Sequence, residues 1–300
     1  MISIITPSYN RAGMVVGAIE SVLAQDYQAF EHIIVDGDST DGTPRILSHY
    51  PHLKVIREPD QGMYDALNKG LAVATGEIIG FLNTDDLYEK NIFSRIVERF
   101  SDPTIMGVTG RAIVFSDLFD GKIKIVNQYD PEESSLLESL TGSGAFFNAW
   151  FFRKSTFEQV GRFNPKFRIA GDRDFMLRFA LNGLKYTTIK DLVYKYRIHR
   201  DSLTFDKSPE KRTWSAKEHL QMTSFYLNEQ RLPNSARKLL IRLRTSETVD
   251  MAARSLWLRD FRKFIYYLIE GSKYDPAWLG RLFEYIVRRG VVMLSSQTRP

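Results

Sequence analysis

Through the first hundred residues, apolar runs of strand length alternate with amphipathic stretches of helical period, and few folds accept that alternation. It is the pattern of βαβ units, in which parallel strands build a central sheet and crossover helices cover its faces. Ile2 to Thr6 reads as a first strand, Met14 to Leu23 as a helix, and His32 to Asp36 as a second strand. Asp41 to Tyr50 reads as a helix whose first turn tolerates Pro44, and Lys54 to Arg57 as a third strand. Met63 to Ala74 is helical, and Glu77 to Leu82 is a fourth strand ending on Asn83-Thr84-Asp85-Asp86. Polar loop residues thus gather at the carboxyl ends of strands one, two and four, the edge of an open α/β sheet where ligands bind.

From about 106 to 200 the pattern is mixed, with strand-like runs at Met106 to Phe115, Lys122 to Val126, Ala145 to Phe152 and Leu192 to Arg197, and a helix at Asp172 to Leu181. Asp130 to Gly144 reads as a long surface loop. After about 205 the reading is helical, with Trp257, Leu258, Phe261, Phe264, Ile265 and Leu268 on one face and a second amphipathic stretch from Trp278 to Ile286. Charge divides at the same place. Residues 1–204 hold 23 Lys and Arg against 26 Asp and Glu, a net −3, whereas 205–300 hold 18 against 10, a net +8. The expected organisation is an α/β domain over 1–204, with a mostly parallel central sheet, and a basic helical region over 205–300.

The chain has no cysteine, so a disulfide framework and a thiolate metal site are excluded. No basic segment precedes the short apolar run at Met1 to Pro7, which reads as a strand and not a signal peptide. The C-terminal apolar stretches are broken by Arg262, Lys263, Arg281, Arg288 and Arg289, well short of the ~20 apolar residues of a membrane span. The expected location is cytoplasmic, with peripheral contact to the inner face of the membrane open to the basic C-terminal region. The basic excess carries no recognition motif for nucleic acid, and no nucleic-acid partner is expected.

Two adjacent carboxylates at a strand end, Asp85 and Asp86, repel each other unless a cation relieves them. Mg²⁺ or Mn²⁺, held by one or two carboxylates and otherwise by phosphate oxygens and water, is the usual arrangement around a nucleoside diphosphate. The plain alternative is that one of them caps a helix starting near Leu87.

Five ordered segments resemble glycosyltransferase family two. They are Ser3 to Arg11; Ser21-Val22-Leu23-Ala24-Gln25; Ile33 to Thr43; Glu58-Pro59-Asp60-Gln61-Gly62-Met63-Tyr64-Asp65-Ala66-Leu67-Asn68-Lys69-Gly70; and Ala74 to Glu77 followed by Phe81 to Asp86. The resemblance implies the GT-A fold over residues 1–204, a nucleotide-sugar donor, a saccharide or lipid-linked acceptor, and transfer of a single sugar with inversion in surface polysaccharide or glycolipid assembly. It further implies that Thr6, Pro7 and Tyr9 line the nucleotide pocket and that Asp36 faces the base or ribose. Asn68 sits at a donor-contact position, Asp86 ligates the metal, and Asp85 orders the ribose and metal-bound water. Gly37 stands where the family commonly has a second acid, leaving Asp36 and Asp38 as alternatives for the base. Asp172, in Gly171-Asp172-Arg173-Asp174, aligns with the acceptor base, although Gly171 replaces the usual Glu and an N-cap role fits Asp172 as well. His199 matches a histidine that reaches the metal or pyrophosphate, with Arg197 and Arg200 beside it to offset diphosphate charge.

No Gln-x-x-Arg-Trp string is present, which argues against a processive synthase. Two other readings remain at this point. A sugar-phosphate nucleotidyltransferase would open with a Gly-rich loop that Pro7-Ser8-Tyr9-Asn10 does not provide, and a non-catalytic carbohydrate-binding protein would have no need of the acids and histidine. Because Asp86 is placed on a loop, its replacement is expected to leave the fold intact.

Overall fold

The computed structural model describes residues 1–118, 122–131, 136–140, 146–199 and 208–297. They belong to two compact units, Met1–Asp206 and Lys207–Pro300.

The first unit opens as β1 (Ile2–Ser8), α1 (Val15–Leu23), β2 (Phe30–Asp36), α2 (Thr43–Leu47), β3 (Leu53–Arg57), α3 (Met63–Val73) and β4 (Ile78–Phe81). It continues through β5 (Leu87–Tyr88), α4 (Phe93–Arg99), β6 (Ile105–Asp117), β7 (Ile123–Tyr129), α5 (Leu136–Ser139), β8 (Trp150–Arg153), α6 (Thr156–Gln159), α7 (Gly171–Leu181) and β9 (Lys185–Arg197). All nine strands form one sheet in the order β3-β2-β1-β4-β8-β6-β9-β5, with β7 added beside β6. The first four run parallel, as the alternation requires. The second half is mixed, since β8 is antiparallel to both β4 and β6 while β6 and β9 are parallel.

Helices cover both faces of the parallel half, which is why β1 and β4 are buried almost without interruption. Ile2 and Ile4 point to the layer formed by Ala18 and Val22 of α1 and Phe93 and Ile96 of α4. On the opposite face Phe81 of β4 joins an aromatic cluster with Phe147, Phe152, Phe157, Phe163 and Phe175, at centroid separations of 5.0–6.5 Å.

Two local expectations need correction, and a third falls mostly outside the described residues. No helix starts at Leu87: Leu87 and Tyr88 form β5, antiparallel to β9, and α4 begins only at Phe93. The run from Ala145 begins outside the described residues, and only Trp150–Arg153 is strand, after a 3₁₀ turn over Phe147–Ala149. Most of the loop from Asp130 to Gly144 also lies outside them, apart from the turn α5.

The second unit contains α8 (Pro209–Leu227), α9 (Asn234–Trp257), α10 (Phe261–Ser272) and α11 (Trp278–Gln297). Trp278, Tyr267 and Leu282 form its centre with Ala252 and Ala253 of α9, and the Trp278 indole donates to Thr248 Oγ1 at 2.7 Å. The apolar stretch from Trp257 to Leu268 is not one helix. Arg259 takes a left-handed conformation with φ +57°, and Asp260 caps α10 by accepting from the Lys263 amide. Phe264 and Leu268 therefore face inward, while Phe261 and Ile265 face solvent.

A titratable group sits inside the parallel half. His32 of β2 is fully buried, its Nε2 is 2.9 Å from Thr6 Oγ1, and its Nδ1 has no partner among the described residues. Burial, and then His52, depress its pKa to about 3. The folded chain thus keeps His32 neutral while the unfolded chain takes up a proton below about pH 6.5. Stability is complete above that pH and declines as pH falls towards 3. Between pH 7 and pH 5 the loss attributable to His32 is about 2 kcal/mol. Urea unfolding at the two pH values measures it, with a smaller decline expected for His32→Gln.

Candidate active site

The parallel strands deliver three loops to one edge of the sheet, and hydrogen bonds lace the first two together. Asn10, after β1, accepts from the Thr40 amide through its side-chain oxygen at 2.9 Å, and its own amide donates to Ser39 Oγ at 2.8 Å. The Gly37 amide donates to Ser8 O at 2.8 Å.

Asp36 ends β2 inside this lacework, fully buried. One of its oxygens accepts from Ser39 Oγ at 2.5 Å, the other accepts from the Ser39 amide at 3.1 Å, and Arg57 lies 3.7 Å away. Both oxygens of Asp36 thus take part in closing the turn. Asp38 is exposed, at φ +62°, and pairs with Arg57 at 3.0 Å.

Thr6 departs from expectation: it is fully buried, with its hydroxyl on His32. Pro7 is half-buried and Tyr9 is exposed at the end of the strand.

A second carboxylate, Asp60, which the sequence reading did not single out, lies beside Gly37 at this edge. A Cβ on Gly37 would fall 2.5 Å from Asp60 Oδ2 and 3.4 Å from the Tyr9 ring, so the missing side chain at Gly37 is what admits Asp60. Asp60 Oδ1 accepts from the Gly62 amide at 2.8 Å, and among the described residues Oδ2 accepts no hydrogen bond. Lys69 fixes the preceding turn, donating to Pro59 O at 2.6 Å and pairing with Glu58 at 3.0 Å. The available signal was the coincidence of a Gly at the second-acid position with an acid in the next strand-end loop.

Asn68 is not turned towards a ligand. Its amide donates to Phe163 O at 2.8 Å and accepts from the Phe163 amide at 3.1 Å, which ties α3 to the segment before α7. This corrects its expected donor contact.

The third loop carries the acidic pair, and the two acids are unequal. Asp86 is fully buried: Oδ2 accepts from the Tyr194 hydroxyl at 2.7 Å and Asn83 Nδ2 at 3.0 Å, and Oδ1 accepts from the Arg197 amide at 2.8 Å. Burial, and next the Asp85 carboxylate, push its pKa up to about 8. Asp85 faces the other way, with Oδ2 2.8 Å from His199 Nε2. The oxygens of Asp86 bind β9 and its own loop, while those of Asp85 are presented beside His199.

The Asp85 and His199 atoms suit a shared cation. Their 2.8 Å separation is near the ~3 Å between adjacent ligands in an octahedral shell of ~2.1 Å radius. Among the described residues no third acid or histidine completes a cluster, so phosphate oxygens and water would supply the remaining positions. Arg197 donates to Asp85 O at 3.0 Å and pairs with Asp117 at 2.5 Å. Arg200 lies outside the described residues.

Asp172 lies in the first turn of α7, after Gly171, and the cap position belongs to Ala170. Its half-buried carboxylate accepts from the Arg173 amide at 2.6 Å. Gly171 stands in place of the family's Glu for a packing reason: a Cβ there would fall 2.6 Å from the Tyr64 ring, whose hydroxyl donates to Ile169 O at 3.0 Å. Tyr64 belongs to the first turn of α3, so it brings the start of α7 to the same sheet edge. Asp174 is buried and bound to Arg178 at 2.9 Å.

The family model "Glycosyl transferase family 2" matches residues 3–161. The chain belongs to glycosyltransferase family 2. An uncharacterized glycosyltransferase of Nostoc sp. is 30% identical over 91% of this chain and 84% of its own length. A PGL/p-HBAD biosynthesis glycosyltransferase of Mycobacterium tuberculosis is 31% identical over 64% of this chain and 75% of its own. Among solved structures, S. aureus TarS superposes with TM-score 0.67 at 19% identity, over 94% of this chain and 50% of that one, so this chain spans half of TarS. A mannosyltransferase from Pyrobaculum calidifontis, solved with GDP-Man and Mn²⁺, gives TM-score 0.58 at 20% identity, over 90% and 85%. These superpositions establish the GT-A-like fold.

The two acids of this family 2 member should separate by stability. Asp86→Ala leaves the Tyr194 hydroxyl, the Asn83 amide and the Arg197 amide without their acceptor, and should cost about 2–4 kcal/mol. This replaces the expectation that Asp86 is dispensable to the fold. Asp85→Ala should stay within about 1 kcal/mol. Urea unfolding of the two variants checks the order, and equal midpoints would refute it.

Proposed function

We propose that the chain is an inverting glycosyltransferase that moves one sugar from a nucleoside-diphosphate sugar to a hydroxyl of a saccharide or lipid-linked acceptor, in surface polysaccharide or glycolipid assembly in the cytoplasm. The observation that carries this reading is the meeting of Asp85 and His199 at the carboxyl edge of the sheet, with Asp172 brought to that edge by Tyr64. The mycobacterial relative is named for PGL/p-HBAD biosynthesis, and the fold neighbours are solved with UDP, UDP-GlcNAc and GDP-Man.

Asp85 and His199 would hold Mn²⁺ or Mg²⁺ together with the donor phosphates. When bound, that cation neutralises charge on the departing diphosphate. The remaining work falls to this chain's own side chains. Pro7 and Tyr9 bound the nucleotide side, and Asp60 Oδ2, open beside Gly37, accepts an N–H from the base. Asp172 takes the proton of the acceptor hydroxyl as its oxygen attacks the anomeric carbon from the face opposite the diphosphate. A nucleotidyltransferase would instead need a phosphate-cradling glycine loop after β1, where Pro7-Ser8-Tyr9-Asn10 stands.

Two experiments test these roles. Asp172→Asn preserves shape and removes basicity, so transfer should fall about 10²–10⁴-fold while nucleoside diphosphate affinity and melting temperature hold. Transfer near the wild-type rate would remove Asp172 as the base. Asp174→Asn breaks the Arg178 pair and is expected to lower the melting temperature, so it serves only as a stability control. Separately, Asp60→Ala should weaken UDP or GDP binding by about tenfold or more, yet leave inorganic pyrophosphate binding unchanged. Equal losses for both ligands in calorimetry would show that Asp60 does not read the base.

A further inference from the structure

The second unit presents an apolar surface that its own core does not use. Its centre is filled by Tyr267 and Leu268 of α10 and by Trp278, Leu282 and Tyr285 of α11. On the outer side of α10, Phe261, Ile265 and Ile269 are exposed at i, i+4 and i+8. On the outer side of α11, Leu279, Phe283 and Val287 repeat that spacing, and they too are exposed. Leu258, in the turn between α9 and α10, is 70% exposed, a costly position for a leucine that meets only water.

Two rows of large apolar side chains, on consecutive helices that both pack against α9, expose more apolar surface than isolated leucines do. No helix among the described residues is long and apolar enough to cross a membrane. The two helices are also capped, broken and packed on one side, so they would lie along a surface rather than through it.

Charge selects the occupant. Arg259 and Arg262, flanking Phe261, form no ion pair among the described residues, whereas Lys263 is paired with Asp260 at 2.9 Å and Arg281 with Asp275 at 3.1 Å. At helical spacing Arg262 and Tyr266 follow one flank of the Phe261 row, both exposed, while Lys273, at the end of α10, is paired with Glu270. Long cationic side chains beside an apolar row can extend to anionic headgroups while the row enters the acyl boundary. A second copy meeting the same face would bring like charge against like charge.

We propose that the outer faces of α10 and α11 seat the protein on an anionic lipid leaflet, with Phe261, Ile265 and Phe283 inserted and Arg259 and Arg262 at the headgroups. The inference is independent of the reaction proposed above.

Co-sedimentation of the full chain with vesicles tests it, using phosphatidylcholine alone and phosphatidylcholine mixed with phosphatidylglycerol. The wild type should pellet with the mixed vesicles at low salt and be released in part by high salt. Phe261→Ser, Ile265→Ser and Phe283→Ser together should lower partitioning about a hundredfold. Arg259→Asn with Arg262→Gln should lower it about tenfold on the mixed vesicles and leave neutral vesicles unaffected. All five positions are exposed, and unchanged circular dichroism and melting temperature would show that each variant folds. A wild type that stays in the supernatant with mixed vesicles at low salt overturns the proposal, as does a triple variant that pellets like the wild type. A wild type that is dimeric without lipid and made monomeric by the triple substitution would also overturn it, by assigning the face to a second copy.

Discussion

The Asp86 carboxylate joins the two halves of the sheet's working edge. It sits at the end of β4, the last parallel strand of the first half, and binds Tyr194 and the Arg197 amide of β9, which belongs to the second half. β4 and β9 are not neighbours in the sheet, since β8 and β6 lie between them. The ladder between β5 and β9, with Leu87 opposite Lys195 and Tyr88 opposite Tyr194, sets this loop beside β9, and the Asp86 acceptor extends that attachment to the strand end that leads to His199. Arg197 reinforces the same junction by donating to Asp85 O. The acid without access to a ligand thus positions the acid beside His199.

This accounts for an adjacent acidic pair at a position where two exposed carboxylates would merely repel. Burial, together with the neighbouring charge, raises the pKa of Asp86, so one of the two can stay neutral without a cation. The phenol of Tyr194 is held well above its ordinary range by burial and then by Asp86, so it remains a donor. The pair divides into a buried member that holds strands together and a half-buried member beside an imidazole. Chemistry at the edge and integrity of the sheet share one loop.

The alternation of apolar runs made the first half of the fold legible, because β1 to β4 and their helices repeat one simple solution to burying both faces of a sheet. The second half was less so. β6 and β9 are each thirteen residues long and shift register through irregularities, and no local period records which strand lies beside which. At the site, the motifs located the right loops but not the direction of each side chain. Thr6, Asp36, Asn68 and Asp86 are all on or beside the expected edge, and each is turned into a hydrogen-bonded partner that lies 3 to 111 residues away in sequence. Buried polar groups must find partners, and sequence spacing does not disclose which. Arg259 is a smaller case: the helical periodicity of 257 to 268 survives a left-handed residue that redirects half the stretch.

Gly37 and Gly171 show how departures from a family pattern can be read physically. Each stands where the family commonly has an acid, and each is in contact with a side chain from the stretch Asp60 to Tyr64. Asp60 fills the space at Gly37 and Tyr64 the space at Gly171, so the loop after β3 and the first turn of α3 occupy the volume a side chain would need at both positions. One glycine faces a carboxylate and the other an aromatic ring, so an acid lies beside Gly37 and none beside Gly171 in the space a side chain would take. The loss at Gly171 leaves Asp172 as the acid in the exposed part of that turn, since Asp174 is buried against Arg178. A missing acid at a motif position is therefore informative only together with what occupies its volume, and here a single segment supplies both occupants.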